Sequence, residues 1–236
     1  MNFFLRIKQI LPLAAISLGL PALSPAALYN FGCVNDGGPS SCLPANLIGT
    51  QLQMEVLGSG GDTTFKFTNT GSVPSFIAQI YWDDRTSLTN TTNQYLDFGS
   101  VSLTDSGAGV SFSAGKGNLP RPNTPSPKFV ADFSEDADSP ASGNGINNSA
   151  GEYLTVAIAR LSGVTQDQVF AGLSSGLLRI GLHVQGIGTG NVSDVYLNGP
   201  DPIPDTSPVP EPSSYAALLS IGIGGLFWFS RRRQQQ

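Results

Sequence analysis

Short runs of alternating apolar and polar residues constrain the fold of this chain more than any other feature. A strand turns successive side chains to opposite faces, so each run predicts a β-strand with one buried face. Stretches rich in glycine and proline separate the runs, and the chain holds 28 Gly and 17 Pro. We therefore expect a mainly β domain, an antiparallel β-sandwich or jelly roll. The runs are 51–56, 63–69, 76–82, 154–158 and 178–184.

One short helix and two long loops interrupt the predicted strands. Thr165 and Gln168 have the spacing of a capping box, which predicts a helix that begins after Thr165. Gly115–Pro127 and Ser134–Ala150 are rich in turn-forming residues, and we expect both to lack regular structure.

The N-terminus has the three parts of a secretory signal peptide. Arg6 and Lys8 precede an apolar stretch, and small residues follow it. Ser24 and Ala26 stand at the −3 and −1 positions of a cleavage site after Ala26. We interpret residues 1–26 as a signal helix that is removed after export through the Sec machinery.

Export sets the redox environment of two cysteines. Cys33 and Cys42 are the chain's two cysteines, and turn-forming residues separate them. Because exported proteins fold in an oxidising compartment, this pair predicts a disulfide near the mature N-terminus.

The C-terminus contains a second apolar segment. Tyr215–Phe229 has no charged residue, and as a helix it would be about 22 Å long, marginally short for a bilayer. Aromatic rings near its ends suit the membrane interface, and the arginines that follow favour the cytoplasmic side. We expect residues 215–236 to form a transmembrane helix with a basic tail. The residues that define this anchor are Tyr215, Trp228, Arg231, Arg232 and Arg233.

A proline-rich linker, residues 198–214, precedes the anchor and has six prolines. We expect it to be extended. The order Val209, Pro210, Glu211 and Pro212, followed by a hydrophobic helix and a terminal arginine cluster, resembles the PEP-CTERM sorting domain. The resemblance implies processing near Pro210–Pro212 by an exosortase, an integral-membrane enzyme. It further implies a bacterial protein that is held transiently in the inner membrane and then reaches the cell surface or the extracellular polymer. A permanent anchor with a proline-rich stalk is the alternative.

Residues 27–197 are the predicted extracellular domain, which is acidic. Ala27–Asp205 contains 16 acidic and 7 basic residues, a balance that disfavours nucleic acid as a partner. Glu135, Asp136 and Asp138 cluster in a Gly- and Asn-rich stretch, which makes them a weak calcium candidate. A solvated acidic loop is the simpler interpretation, and we expect no obligatory cofactor.

Two aromatic residues raise the question of sugar binding. In the run 76–82, Phe76, Ala78, Ile80 and Trp82 alternate and are predicted to face the core. Tyr81 is then predicted to point outward. An exposed Tyr81 and Trp82 would suit polysaccharide stacking, whereas core packing of Trp82 would not.

The sequence contains no recognised catalytic motif. His183 is the one histidine, and the alternation of its strand predicts it opposite the apolar face, beside Arg179 and Gln185. Asp83 and Asp84 are adjacent, so a strand sends them to opposite faces, and we expect a solvated strand end.

We therefore expect a non-enzymatic surface or matrix protein with a structural or adhesive role in extracellular polymer or biofilm. A polysaccharide-binding module on the same scaffold is the second interpretation, and a secreted glycan hydrolase is the third.

Overall fold

The structure is a computed structural model that describes residues 26–35, 37–38, 42, 48–85, 94–149 and 151–199. Eleven strands and two short helices form within these ranges. The strands are β1 (Ala27–Cys33), β2 (Leu52–Ser59), β3 (Asp62–Asn69), β4 (Phe76–Asp84), β5 (Leu96–Asp105), β6 (Phe112–Ala114), β7 (Phe133–Ala137), β8 (Ile146–Asn147), β9 (Tyr153–Arg160), β10 (Leu178–Ile187) and β11 (Val192–Asn198). The helices are α1 (Ala141–Asn144) and α2 (Gln166–Ser175).

The strands form one nearly closed antiparallel sheet in the order β5-β9-β3-β2-β1-β11-β10-β4-β7-β6, and β8 pairs with β4. The prediction of a mainly antiparallel β domain with a short helix is thus confirmed. The predicted alternation holds in β2 and β3, where Met54, Val56, Phe65 and Phe67 are fully buried.

The first strand joins the two halves of this sheet. Residues 27–30 of β1 pair with β2, and residues 31–33 pair with β11. The halves pack face to face, as the edge-on contacts of Trp82 in β4 with Phe65 and Phe67 in β3 show. Because β1 lies in the middle of the strand order, residues 27–33 are a central part of the sheet.

Two irregularities in strand pairing lie side by side at β10. Ala78 is inserted in β4, between the pairs His183–Gln79 and Val184–Ile77. Two residues of β10, Gln185 and Gly186, lie opposite Ser193 of β11. Bulges of this kind change which side of a sheet the following residues face.

The prediction that Phe76 faces the core is wrong, and the bulge at Ala78 explains why. Ile77, Ile80 and Trp82 enter the main core, whereas Phe76 is half-buried and outside that cluster. The inserted residue shifts the alternation by one position, so Phe76 is turned to the outer face of β4.

The helix α2 begins as predicted. The Thr165 hydroxyl accepts a hydrogen bond from the backbone N–H of Gln168, and the Gln168 side chain bonds back to the cap residue. The helix ends at Gly176, whose φ of 71° lies in the left-handed region that glycine adopts without a steric cost.

The two predicted loops behave differently. Gly115–Pro127 lacks strand and helix, as predicted. The prediction for Ser134–Ala150 is wrong, because most of β7 and all of α1 and β8 lie in it. Pairing with β4 gives these short strands hydrogen-bond partners that their composition does not reveal.

In the ranges that the structure describes, no helix is both long and apolar enough to cross a bilayer. Residues 1–25 of the predicted signal peptide, which include Ser24, the linker from position 200 onward and the predicted span at 215–229 lie outside those ranges.

Candidate functional site

The two ends of the β domain lie together at one end of the sheet, which we call the exit end. Phe31 of β1 is paired with Asn198, the last residue of β11. The N–H of Gly199 donates to the carbonyl oxygen of Asn30 over 2.9 Å. Ala27, the predicted first residue of the mature chain, begins β1 four residues before Phe31. The described chain therefore begins and ends at the same end of the domain.

The predicted disulfide between Cys33 and Cys42 is present, with 5.7 Å between the two Cα atoms. It joins Cys42 to the last residue of β1. Asp194 of β11 holds Cys42 as well, since its carboxylate accepts a hydrogen bond from the Cys42 N–H over 3.2 Å and pairs with Arg121 at 3.1 Å. Arg121 belongs to the loop that crosses the outer face of the sheet.

The prediction of a solvated strand end at Asp83 and Asp84 is wrong, because both residues are fully buried. The Asp83 carboxylate accepts hydrogen bonds from the guanidinium groups of Arg85 and Arg179. The carbonyl oxygens of Pro127 and Lys128 accept further hydrogen bonds from Arg179. The loop that contains these carbonyls covers Asp83 and excludes water from it.

Asp84 has a separate structural role. Its carboxylate accepts hydrogen bonds from the backbone N–H groups of Tyr95 and Leu96, over 2.9 and 2.8 Å. Burial raises the pKa of Asp84, and these backbone donors oppose that rise. The two adjacent carboxylates therefore hold different parts of the fold together, each through contacts within the domain.

Tyr81 points to the outer face of β4, as predicted, but a loop covers it there. Tyr81 is 2% exposed and packs with Leu119 and Phe129 of the covering loop. Trp82 is fully buried on the opposite face, where it contacts the ring of Phe133 at 5.4 Å. Trp82 thus packs in the core, as predicted, and neither aromatic residue is accessible for the alternative of stacking on a sugar.

The three acids of the calcium candidate are divided between different environments. Glu135 is 2% exposed and lies on the core face of β7, opposite Ile80. Asp136 follows it on the other face, and Asp138 accepts hydrogen bonds from the hydroxyls of Ser111 and Ser113. Among the described residues, no group of three His, Cys, Asp or Glu side chains is placed to hold a metal ion.

His183 lies on the face that the sequence predicts. Its Nδ1 is 2.8 Å from the side-chain oxygen of Gln79, and the Gln185 amide is 3.5 Å away. Burial lowers the pKa of His183, and the nearby charge of Arg121 lowers it further. The lowered pKa favours the neutral form of His183, and its two hydrogen-bond partners, Gln79 and Gln185, are neutral amides as well.

The comparisons with known proteins place a functional site at the C-terminus. Residues 208–234 match the PEP-CTERM protein-sorting motif. The match includes Val209, Pro210, Glu211 and Pro212, and it includes the apolar segment and the three arginines. No curated protein and no solved structure matches the chain.

This motif supports one class of protein, an exported surface protein targeted to an exosortase-type processing enzyme. More particularly, the chain carries a PEP-CTERM sorting signal behind an antiparallel β domain, as its sequence predicts. The motif residues lie outside the described part of the structure.

Proposed function

We propose that this protein is a non-catalytic component of the bacterial cell surface or extracellular polymer, with a structural or adhesive role. The PEP-CTERM motif at 208–234 carries the proposal. In it, Pro210, Glu211 and Pro212 are the substrate of the processing enzyme. The segment 215–229 holds the precursor in the inner membrane, and Arg231, Arg232 and Arg233 keep its end in the cytoplasm.

The geometry of the β domain supports this route. The chain leaves the domain at Gly199, whose N–H donates to the carbonyl oxygen of Asn30 in β1, so the linker begins beside the strand that follows the predicted signal peptide. Fifteen extended residues, 200–214, span up to about 45 Å. Such a linker lets a processing enzyme in the membrane reach Pro210–Pro212 without unfolding the domain.

A measurement of intact mass tests the proposal on protein isolated from its native host. We expect a mature chain that begins at Ala27, after Sec export and signal cleavage, and ends within Pro210–Pro212. A Glu211→Ala precursor should accumulate in the membrane fraction with its C-terminus intact. As a control, Glu55→Ala alters a glutamate of β2 and should leave processing unchanged.

The proposal fails if the mature protein keeps residues 215–236, or if the protein is found in the cytosol with both ends intact. It also fails if Glu211→Ala is processed as well as the unaltered chain.

A further inference from the structure

The two bulges that flank β10 create a small open pocket on the outer face of the sheet, which we call the two-bulge pocket. Its volume is about 400 Å³. This value lies near the lower end of the range for small-molecule sites, roughly 300–1,000 Å³. The lining residues are Phe76, Ser142, Gln185, Gly186, Asn191, Val192 and Ser193.

The bulges bring an aromatic ring and an amide together. Phe76, turned outward by the inserted Ala78, is paired directly with Gln185, so both side chains share one face. The second bulge places Gly186 at the floor of the pocket with φ of +66°. A Cβ at this position would lie 2.9 Å from the Phe76 ring and 3.5 Å from the Asn191 side-chain oxygen. The absence of a side chain at Gly186 is therefore what leaves the pocket open.

The lining has a distinct chemistry. It contains two carboxamides and two hydroxyls beside one partly exposed aromatic ring, and no charged side chain. Carboxamides both donate and accept hydrogen bonds, as sugar hydroxyls do. An aromatic ring offers an apolar surface to the C–H groups of a pyranose. A neutral sugar suits this set better than an anion or a cation, because neither would find a charged partner.

The pocket also lies at a suitable place in the molecule. It surrounds the turn between β10 and β11, whereas the chain leaves the domain at the other end of β11. Seven residues of strand separate the two ends, about 20 Å. The pocket is thus at the end of the domain opposite the exit end, away from the membrane attachment.

A peptide ligand is less consistent with this site. Extended peptides commonly add to a free sheet edge or fill an apolar groove. Here β10 is paired on both sides, with β4 and β11, and β11 is paired with β10 and β1. Neither strand therefore offers a free edge at the pocket to which a peptide could add.

We propose that the two-bulge pocket binds a neutral sugar unit of an extracellular polysaccharide, with Phe76 as the stacking surface and Gln185 and Asn191 as hydrogen-bonding groups. The proposal rests on the proposed function only for the setting in which the protein meets polysaccharide. Binding itself does not depend on whether the tail is cleaved.

Saturation-transfer NMR on the full chain, in a detergent without a sugar head group, tests this site. The probes are cellotetraose, maltotetraose and a β-linked galactose tetramer, with tetragalacturonate as a charged comparison. We expect at least one neutral probe to bind more tightly than the charged one. Asn191→Gly removes the amide without straining a residue whose φ is +49°, and it should weaken that binding about tenfold.

Gly186 in the bulge of β10 and Gly188 in the turn that follows provide a matched pair. Gly186→Ala fills the floor of the pocket and should weaken binding about tenfold or more. Gly188→Ala imposes a similar backbone strain, at φ +61°, but nothing lies within 4 Å of its Cβ, so binding should persist. Thermal unfolding of each variant verifies that it is folded.

The proposal is overturned if no neutral probe binds, if tetragalacturonate binds equally well, or if folded Gly186→Ala and Asn191→Gly bind like the unaltered chain. It is also overturned if a tetraalanine peptide competes fully with the sugar. Because the unprocessed chain is used, none of these results depends on exosortase cleavage, which the mass measurement tests separately.

Discussion

Glu135 is a buried carboxylate on the core face of β7, the strand that pairs with the edge strand β6. It lies on the same face of β7 as Phe133, and its Oε2 has no hydrogen-bond partner among the described residues. Burial, assisted by the charges of Asp136 and Asp138, raises the pKa of Glu135 to about 7. The protonated form is therefore the one that the folded domain favours.

This raised pKa predicts how stability depends on pH. The folded state holds the proton up to about pH 7, whereas the unfolded chain releases it near 4.5, so the free energy of unfolding falls as pH rises between these values. Glu135→Gln should remove this part of the fall and stabilise the domain by about 1–3 kcal/mol at pH 8. Chemical denaturation of both proteins from pH 4 to pH 8 measures the free energy of unfolding at each pH.

Asp132 provides the comparison for this experiment. Burial raises its pKa to about 6, so Asp132→Asn should remove only the lower part of the pH dependence. If Glu135→Gln and the unaltered chain lose stability equally toward pH 8, the assignment to Glu135 is wrong.

At the scale of single elements, the disulfide strengthens the end of β1. The bond joins residues nine positions apart, and closing such a short loop stabilises a fold by restricting the unfolded chain. Replacing both cysteines, with Cys33→Ser and Cys42→Ser, should lower the free energy of unfolding by about 2–3 kcal/mol.

Denaturant unfolding with and without a reductant measures this contribution. A reductant should lower the stability of the unaltered chain by a similar amount and leave the double variant unchanged. Equal stability of the two proteins under oxidising conditions would contradict the prediction.

At the scale of the whole molecule, the order of strands predicts which parts open last. Although β1 is the first strand of the chain, it lies between β2 and β11 and joins both halves of the sheet. By contrast, β5 and β6 are the two ends of the strand order. Backbone amides in the centre of a sheet open only with global unfolding, whereas edges open locally.

Hydrogen exchange followed by mass spectrometry tests this prediction on the full chain. Peptides that cover 28–33 should exchange as slowly as those from β10, and peptides from β6 should exchange faster. Exchange of β1 at the rate of β6 would show that the N-terminal strand is not the link between the two halves.

Local pattern is sufficient for several features of this protein. The capping box of Thr165, the disulfide, the alternation in β2 and β3 and the sorting motif at 208–234 each depend on residues close together in the chain. Their physical causes, such as a side chain that bonds three residues away or a strand with period two, act over the same short range.

Other features depend on contacts between distant segments. Tyr81 is buried because Leu119 and Phe129 cross it, and Asp83 is buried with Arg179, 96 residues away. The outward turn of Phe76 follows from a bulge against β10, about a hundred residues later in the chain. Alternation within one strand cannot reveal a bulge or a covering loop, because both depend on contacts with segments that are distant in the sequence. The tertiary pairing of β4 with β10 therefore decided which aromatic residue lines the proposed sugar pocket.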